Sequence, residues 1–436
     1  MEKLTNIRSL LEALSRAMNL INPEVENHHQ QAAYFAYFIG REMGLDTEEL
    51  HLAIYAALLH DVGSIVMNHA ASVLEIEAEA ARVARIGASM LSDLPAFHAI
   101  AEVIRYCQLD YLSVHAYCRQ FPDREETLRI ASLVHVADAA STMLHSGHVL
   151  NQVDDICACL DQGKGTQFDP EALEALYRLK PLEVIWLDAL NNPSFLLFFT
   201  GEMHAITAPQ TIELTKLMSR IIDYRSPFTA MHSAGVSASA KALARLAGMT
   251  EEECLEMEIA GNLHDVGKLV VPESILTKPG KLTAEEFNIM KEHAYYTRFV
   301  LMDADGFEQI ANWAGGHHEK LDGNGYPFHW DQTRLDTGCR IMAVADIFSA
   351  TAEDRPYRKG MKREQIESIL REDAACGKVD AELVALLFSH YEEVNDIRDE
   401  VSHREGRRYY EIHGRRDRRR NLMPKHALPQ AGIIEE

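Results

Sequence analysis

Apolar residues recur at intervals of three and four along most of the chain, which is the periodicity of an amphipathic helix. This pattern predicts helices over 7–20, 48–59, 125–144, 251–263 and 285–302. The alternation of apolar and polar residues that is typical of strands is nearly absent, and turns containing proline or glycine separate the helical segments. We therefore predict an all-α fold.

The helical pattern occurs twice. The sequence His-Asp-Val-Gly stands at 60–63 and again at 264–267, and His28 is matched by His232 at the same offset of 204 residues. Several motifs that share one offset indicate an internal duplication. We therefore predict two tandem helical domains that are copies of each other.

The duplication divides the chain into four parts. They are a first copy at 1–180, a connector at 181–209, a second copy at 210–400 and a basic tail at 401–436. We expect the apolar run 195–199 of the connector to be buried between the domains rather than in a membrane. The tail carries eight arginines between 404 and 420, for which a solvated helix is favoured over a contact with nucleic acid or another anionic surface.

Length, charge and cysteine content limit the number of domains, the binding partners and the cellular compartment that the chain can have. A chain of 436 residues exceeds what one hydrophobic core usually holds, and the net charge of −23 argues against binding to extended nucleic acid. The seven cysteines include no Cys-x-x-Cys pair, which is typical of a reducing compartment and argues against a thiolate zinc site. No signal-peptide pattern and no apolar run of membrane-spanning length occurs, so we predict a cytoplasmic protein.

The second copy concentrates side chains that bind metal ions. These are His232, His264, Asp265, His293, His317, His318 and Asp346. His264 and Asp265 are neighbours at the end of a predicted helix, where successive side chains point about 100° apart. The histidine can then serve one ion while the carboxylate, which has two oxygens, bridges to a second ion. The pair therefore suits a site with two metal ions.

Six motifs follow one another along the second copy. They are His232-Ser233, His264-Asp265-Val266-Gly267-Lys268, Lys278-Pro279-Gly280-Lys281-Leu282-Thr283, Lys291-Glu292-His293, the stretch from His317 to Pro327 that ends in Gly-Tyr-Pro, and Val344-Ala345-Asp346 followed by Asp354-Arg355-Pro356-Tyr357-Arg358. Over about 212–393 the chain resembles the HD-GYP subgroup of the HD-domain metal-dependent phosphohydrolases. The resemblance implies an HD-type fold and cyclic dinucleotide phosphodiesterase activity.

The resemblance also implies a ligand set for two divalent ions with a bridging water or hydroxide. His232, His264, Asp265 and Asp346 would hold one ion, and Asp265 would bridge to a second ion held by His293, His317 and His318. Family precedent favours iron or manganese, and imidazole and carboxylate ligands also suit zinc. Some family members bind a third ion through a glutamate at the position of Phe228, which cannot ligate a cation, so we predict two ions.

Catalytic and substrate-binding roles follow from the same motifs. Besides Asp265, the resemblance implies a catalytic role for Lys268, which could stabilise charge on the phosphate; a solvated lysine beside a helix end is the alternative. Tyr326 would pack on the substrate, and Arg355 and Arg358 would contact phosphate or guanine. A structural ion pair is the alternative for Arg355.

The first copy has lost part of this set. His28, His60, Asp61 and Asp138 form a possible vestigial metal site, which leaves two interpretations. The copy either still binds one ion or, as we favour, is a degenerate domain used for regulation or dimerisation. His293, His317 and His318 align near Val83, Cys107 and Gln108, Ser64 replaces the lysine, and His29 is expected at the surface.

The predicted function is hydrolysis of a 3′,5′-linked cyclic dinucleotide, cyclic di-GMP and/or 3′,3′-cyclic GMP-AMP, to a linear dinucleotide in bacterial second-messenger signalling. The alternative is a non-catalytic receptor that binds the dinucleotide and signals through its first domain. Use of the first copy for dimerisation would give a homodimer. A third possibility is hydrolysis of a nucleoside triphosphate or ppGpp by the HD core. A complete ligand set accompanied by Lys268 favours the enzyme, because a receptor has little need of a centre that activates water.

Overall fold

Helices make up nearly all regular structure in the described part of the chain. The computed structural model describes residues 27–66, 79–92, 94–191, 205–223, 231–278, 280–302, 306–353 and 359–420, together with 5, 6, 10, 13 and 304, with the backbone alone from 408 onward. Strand β1 (Thr5–Asn6) pairs antiparallel with β2 (Ala205–Ile206) and is only two residues long. The all-α prediction is confirmed.

The first copy and the start of the connector contain nine helices in their described residues. In chain order they are α1 (His28–Glu42), α2 (Thr47–Leu59), α3 (Ala80–Leu91), α4 (His98–Tyr106), α5 (Tyr111–Gln120), α6 (Glu125–Thr142), α7 (Val153–Asp161), α8 (Pro170–Leu179) and α9 (Glu183–Asn191). A 3₁₀ helix, Val62–Val66, follows α2. Most of the predicted helix 7–20 lies outside the described residues, and α9 falls within the predicted connector.

The second copy has ten helices in its described residues, and the elements around its His-Asp pair repeat those of the first copy. Its helices are α10 (Ala208–Asp223), α11 (His232–Leu246), α12 (Glu251–Leu263), α13 (Glu273–Leu276), α14 (Ala284–Leu301), α15 (Glu308–Gly315), α16 (Thr337–Ala352), α17 (Arg363–Ala375), α18 (Ala381–Ser389) and α19 (Tyr391–Arg420). A 3₁₀ helix, Val266–Val270, follows α12 as its counterpart follows α2. The predicted helix 251–263 coincides with α12.

Equivalent caps fix the starts of α2 and α12. The Asp46 side chain accepts hydrogen bonds from the backbone N–H groups of Glu48 and Glu49, and Thr250 accepts one from Glu253. In each case the third helical residue, a glutamate, accepts a hydrogen bond from the backbone of the cap, which closes a capping box. Both helices are thirteen residues long and end immediately before a His-Asp pair, so the cap sets where that pair emerges.

A glycine after each His-Asp pair allows close contact between two elements. A Cβ on Gly267 would lie 1.9 Å from the carbonyl oxygen of His293, and a Cβ on Gly63 would lie 2.1 Å from that of Val83. Glycine is required because any side chain would overlap the backbone of the neighbouring helix. The two contacts place Val83 in the first copy where His293 stands in the second.

The start of the predicted tail packs against the second copy. Helix α19 continues through residue 400, and its Glu405 carboxylate binds the Arg220 guanidinium of α10 at 2.9 and 3.2 Å. Ser402 donates a hydrogen bond of 3.2 Å to the carbonyl of Met231. No helix in the described ranges has the length and apolar character needed to cross a bilayer, and the run 195–199 lies outside them.

Candidate metal centre

The seven predicted ligands of the second copy converge from five elements. His264 and Asp265 follow α12, His293 lies on α14, and His317 and His318 follow α15. Asp346 lies on α16 and His232 is the first residue of α11. All are buried except His318, which is partly exposed. The fold therefore gathers residues that are more than 100 positions apart in the sequence.

Backbone hydrogen bonds orient three of the imidazoles. The Nδ1 atoms of His264, His293 and His317 lie 2.8, 2.5 and 2.6 Å from the carbonyl oxygens of Gly261, Met290 and Ala314. Because a ring N–H must donate to a carbonyl, each bond leaves Nε2 without a proton in the neutral ring. These Nε2 lone pairs are then free to bind a cation, an arrangement typical of metal-ligating histidines.

The inward-facing atoms form three overlapping groups. They are His232 with His264 and Asp346, His264 with Asp265 and His317, and His293 with His317 and His318. Within each group the potential ligand atoms lie within 4.8 Å of one another. His264 Nε2 is buried and makes no hydrogen bond to the described residues, although Asp265 Oδ2 is 3.2 Å away. A buried nitrogen that lacks a donor or acceptor fits a site built for metal ions.

Asp265 lies between the two sides of the cluster. Its Oδ2 is 3.2 Å from His264 Nε2, and its Oδ1 is 3.6 Å from His293 Nε2. Each carboxylate oxygen thus faces a different histidine. This geometry is the one expected of a carboxylate that bridges two ions.

Burial and charge set the protonation of the cluster. Burial lowers the pKa of His293 to about 4 and that of His318 to about 3, so both are neutral near pH 7. Burial would also lower the pKa of His232, but the carboxylates of Glu353 and Asp346 outweigh it and raise that pKa to about 10. Burial likewise opposes ionisation of Asp265, yet His264 and Lys268 hold its pKa well below the ordinary value. His293 and His318 therefore offer neutral imidazoles beside the ionised Asp265, whereas His232 carries a proton near pH 7 that a bound cation would displace.

Lys268 pairs with the carboxylate of Asp265, the predicted bridging ligand. Its Nζ lies 2.5 Å from Asp265 Oδ2, and the side chain is only 19% exposed. The predicted lysine is thus inside the cluster and not a solvated residue at a helix end. Arg355, Arg358 and Phe228 lie outside the described residues.

Tyr326 lies at the rim of the cluster. The ring centroids of Tyr326 and His318 are 4.7 Å apart, and Tyr326 donates its backbone N–H to the carbonyl of His318 at 3.3 Å. The Gly-Tyr-Pro loop is therefore attached to a predicted ligand both through its backbone and through ring contact.

Family models of the HD domain match both halves of the chain, over residues 25–143 and 216–383. The chain belongs to the HD-domain family. The two matched segments contain the two His-Asp pairs, so each copy is an HD domain.

Curated relatives of this tandem HD-domain chain are named phosphodiesterases. The 3′3′-cGAMP-specific phosphodiesterase 1 of Vibrio cholerae is 27% identical over 87% of this chain and 90% of its own length. The 3′3′-cGAMP-specific phosphodiesterase 3 of that organism is 33% identical over 59% of this chain and 55% of its own length. A cyclic di-GMP phosphodiesterase of Pseudomonas aeruginosa is 40% identical, but over only 30% of this chain and 32% of its own length.

A solved structure shares the fold. The cyclic GMP-AMP specific phosphodiesterase V-cGAP3 of V. cholerae matches with a TM-score of 0.61 at 22% identity. The match covers 89% of this chain and 98% of that one. The tandem arrangement of the two HD domains is therefore not peculiar to this chain.

A buried carboxylate supports the Gly-Tyr-Pro loop of the second HD domain. The two oxygens of Glu319 accept hydrogen bonds from the backbone N–H groups of Phe328 and Trp330, at 2.7 and 3.0 Å. A Cβ on Gly325 would lie 2.4 Å from the Cα of Glu319, so the loop crosses directly over this residue. Sequence analysis treated Glu319 only as part of the motif and did not assign it this role.

We expect Glu319→Gln to loosen the loop. An amide has one oxygen, so one of the two backbone N–H groups loses its acceptor at a cost of about 1.5 kcal/mol. Because Tyr326 lies in this loop, the KM for a cyclic dinucleotide should rise about tenfold with little change in metal content. Steady-state kinetics and elemental analysis check this, with the exposed Glu308→Gln as control; an unchanged KM contradicts it.

Two further acidic residues of the second HD domain escaped the sequence analysis. Glu353 Oε2 lies 3.1 Å from His232 Nδ1, so it orients the ring from the side opposite the cluster. Asp223 is buried at the end of α10 and accepts a hydrogen bond of 2.9 Å from Ser233. Neither residue belongs to a motif with regular spacing, since both are brought in by helix packing.

Asp223 makes the stability of metal-depleted protein depend on pH. Burial, reinforced by the negative charge of Asp265, raises the pKa of Asp223 from 3.8 to about 7. The folded state therefore binds this proton more tightly, and stability falls as the pH rises from about 4 to about 7, by up to about 4 kcal/mol. Thermal unfolding of chelator-treated protein should show this loss, and Asp223→Asn should flatten it. An unchanged pH profile in the variant contradicts the assignment.

The first HD domain retains part of a ligand set. The Nε2 atoms of His28 and His60 lie 3.1 and 3.2 Å from Asp138 Oδ1, and His60 Nε2 lies 3.4 Å from Asp61 Oδ2. Ser141 Oγ is 3.1 Å from His28 Nδ1, where the second domain uses Glu353. The potential ligand atoms of His28, His60 and Asp138 also lie within 4.8 Å of one another.

Gln108 hydrogen-bonds to Asp138, the carboxylate of this group. Its amide nitrogen donates a hydrogen bond of 2.7 Å to Asp138 Oδ2, whereas His318 Nδ1 is 3.9 Å from the equivalent Asp346 Oδ2. Burial raises the pKa of the adjacent Cys107 thiol to about 12, so it offers no thiolate. The positions that align with His317 and His318 thus carry an uncharged thiol and an amide that hydrogen-bonds to Asp138.

The expected surface position of His29 is wrong. The residue is only 7% exposed, and its ring centroid lies 5.6 Å from that of His60. Helix α1 is buried on nearly all sides, including the face that carries His29. A polar residue beside a predicted ligand carries no signal of burial in the sequence, and the packing around α1 buries it.

Proposed function

We propose that the chain is a metal-dependent phosphodiesterase that hydrolyses a 3′,5′-linked cyclic dinucleotide to a linear dinucleotide. The observation that carries the proposal is the convergence of seven ligand residues with Asp265 between the two sides. The names of the curated relatives support the same class of reaction. The reaction would serve bacterial second-messenger signalling.

The residues of the second HD domain fit two divalent ions. We propose His232, His264, Asp265 and Asp346 for one ion, and Asp265, His293, His317 and His318 for the other, with iron or manganese as the metal. Two such ions supply Lewis acidity that activates water and stabilises charge on a phosphodiester. Three partly buried or fully buried imidazoles that are neutral near pH 7 can bind a cation without first losing a proton.

Other residues of this domain orient the substrate and compensate charge. Lys268 lies 2.5 Å from Asp265 Oδ2 and adds positive charge where a phosphate would enter. Glu353 fixes the ring of His232, and Glu319 fixes the loop that carries Tyr326. We propose Tyr326 as a substrate-packing residue, with Arg355 and Arg358 as phosphate or guanine contacts.

The choice between two substrates needs a direct comparison. Relatives named for 3′3′-cGAMP cover more of the chain, while a relative named for cyclic di-GMP is more similar over a shorter part. Cyclic di-GMP and 3′,3′-cyclic GMP-AMP should each be incubated with protein loaded with iron(II) or manganese(II) under reducing conditions. Chromatography of the products identifies the preferred substrate and whether hydrolysis stops at the linear dinucleotide.

The same experiment separates the enzyme from a receptor. Binding of either dinucleotide without any conversion would refute the phosphodiesterase and favour a non-catalytic receptor. Conversion of a nucleoside triphosphate or ppGpp alone would instead favour the third possibility. All seven cysteines are free, which agrees with a proposed cytoplasmic site of action.

For the first HD domain we propose a regulatory or dimerisation role. Gln108 hydrogen-bonds to Asp138 where the second domain has His318, and the remaining group of three potential ligands fits one ion at most. Elemental analysis of Asp138→Asn distinguishes a first domain that still binds one ion from a degenerate domain that binds none. A loss of one ion per chain identifies a working metal site, and an unchanged metal content shows that the domain functions without metal.

A further inference from the structure

Helix α14 exposes three aromatic side chains on one surface. Phe287, Tyr295 and Phe299 are 44%, 47% and 48% exposed, and they follow one another at spacings of eight and four residues. Residues four positions apart share a face of a helix, so this surface runs along the helix. The same helix carries His293 toward the interior. Exposed apolar surface that adjoins a polar cluster is typical of a binding site.

Phe287 connects this surface to the metal centre. Its ring centroid lies 5.9 Å from that of Tyr326 at an angle of 83°, and Tyr326 in turn lies 4.7 Å from His318. The Phe287 side chain is 44% exposed, so part of its ring is open to a stacking ligand. Phe287 therefore offers an aromatic surface one ring away from the Gly-Tyr-Pro tyrosine.

A cation accompanies this ring. The ammonium of Lys291 lies 5.5 Å from the centroid of Phe287, and no carboxylate among the described residues forms an ion pair with it. Lys291 is one helical turn beyond Phe287 and one half-turn before His293. On a chain with a net charge of −23, an available cation beside the centre suits an electron-rich ligand group.

We propose that Phe287 and Lys291 form a guanine-binding subsite of the second HD domain. The base stacks on the exposed face of Phe287, and Lys291 donates to the guanine O6 or N7 acceptors. Stacking on aromatic rings accepts any base, whereas lysine favours guanine because adenine carries an amino group at position 6. The subsite deepens the proposed phosphodiesterase function and rests on it.

The far end of the same helix provides a matched control. Phe299 has the same side chain and nearly the same exposure as Phe287, but its ring contacts are with Tyr295 and Tyr296 and not with Tyr326. A general effect of removing an exposed phenyl group would appear in both variants. An effect that is specific to the subsite would appear only when Phe287 is replaced.

The test measures kinetics and metal content for Phe287→Ala, Phe287→Trp and Phe299→Ala in the full chain. We expect Phe287→Ala to raise the KM for cyclic di-GMP about 5- to 150-fold, the range for losing one base–aromatic stack. Its kcat and metal content should stay unchanged, Phe287→Trp should restore the KM, and Phe299→Ala should match the wild type. Lys291→Met should reduce the preference for guanine- over adenine-containing cyclic dinucleotides.

The outcomes separate this subsite from the proposed function. If the wild type hydrolyses the dinucleotide but Phe287→Ala and Phe299→Ala have the same KM, the subsite is refuted and the phosphodiesterase stands. If the wild type converts no dinucleotide, the proposed function itself fails. If both alanine variants change the oligomeric state by light scattering and leave the KM unchanged, the aromatic surface binds another copy of the chain and the subsite is refuted.

Discussion

Replacing Asp265 by asparagine is expected to abolish turnover almost completely. Asp265 lies between the two sides of the cluster, with one oxygen 3.2 Å from His264 and the other 3.6 Å from His293. An amide offers one neutral oxygen and cannot bridge two cations as a carboxylate does. Weaker binding of both predicted ions removes several kcal/mol of charge stabilisation from the transition state. That loss corresponds to a decrease in kcat of about a thousandfold or more.

The internal duplication supplies the control for this variant. Asp61 is the equivalent residue of the first HD domain, so Asp61→Asn makes the same chemical change outside the proposed centre. Kinetics and elemental analysis of both variants should show loss of activity and metal only for Asp265→Asn. Equal losses, or full activity in Asp265→Asn, would contradict the assignment of the bridging role.

Gly267→Ala is expected to destabilise the second HD domain by about 3 kcal/mol or more, because the added methyl group overpacks a rigid contact. The Cβ would lie 1.9 Å from the carbonyl oxygen of His293, and a backbone atom cannot move aside as a flexible side chain does. The carbonyl belongs to a predicted ligand, so the shift should also disturb the metal centre. Thermal unfolding and metal content measure the two effects.

Gly63→Ala makes the matching change in the first HD domain. Its Cβ would lie 2.1 Å from the carbonyl oxygen of Val83, which is not a ligand. We expect a similar loss of stability with little loss of metal from the second domain. Retention of wild-type unfolding temperature in either variant would show that the close contact can relax.

The sequence was informative wherever local chemistry determines structure. Helix α12 could be located from its periodicity, and the structure begins the helix at Glu251 as predicted. The capping box of Thr250 and Glu253 at its start was found only in the structure. The seven predicted ligand residues could be named because short motifs along the second copy resemble those of a known family, and the resemblance implies their roles. The structure brings those seven together, while their roles as ligands stay a prediction.

Contacts between distant helices could not be predicted in the same way. Glu353 reaches His232 only because α16 packs on α11, across 121 residues of sequence. Asp223 is buried at a helix end, where a charged residue is usually solvated. Phe287 follows the apolar spacing of α14 and would ordinarily be assigned to a buried face, yet it is 44% exposed.

The amide of Gln108 has a consequence for the behaviour of the whole chain under metal starvation. In the first HD domain a neutral side chain holds Asp138 through a 2.7 Å hydrogen bond, so the folded arrangement on that side of the group needs no cation. The second HD domain has imidazoles and carboxylates in the corresponding space. Depletion of metal should therefore loosen one half of the molecule before the other, and a protease would distinguish them by cutting the second half first.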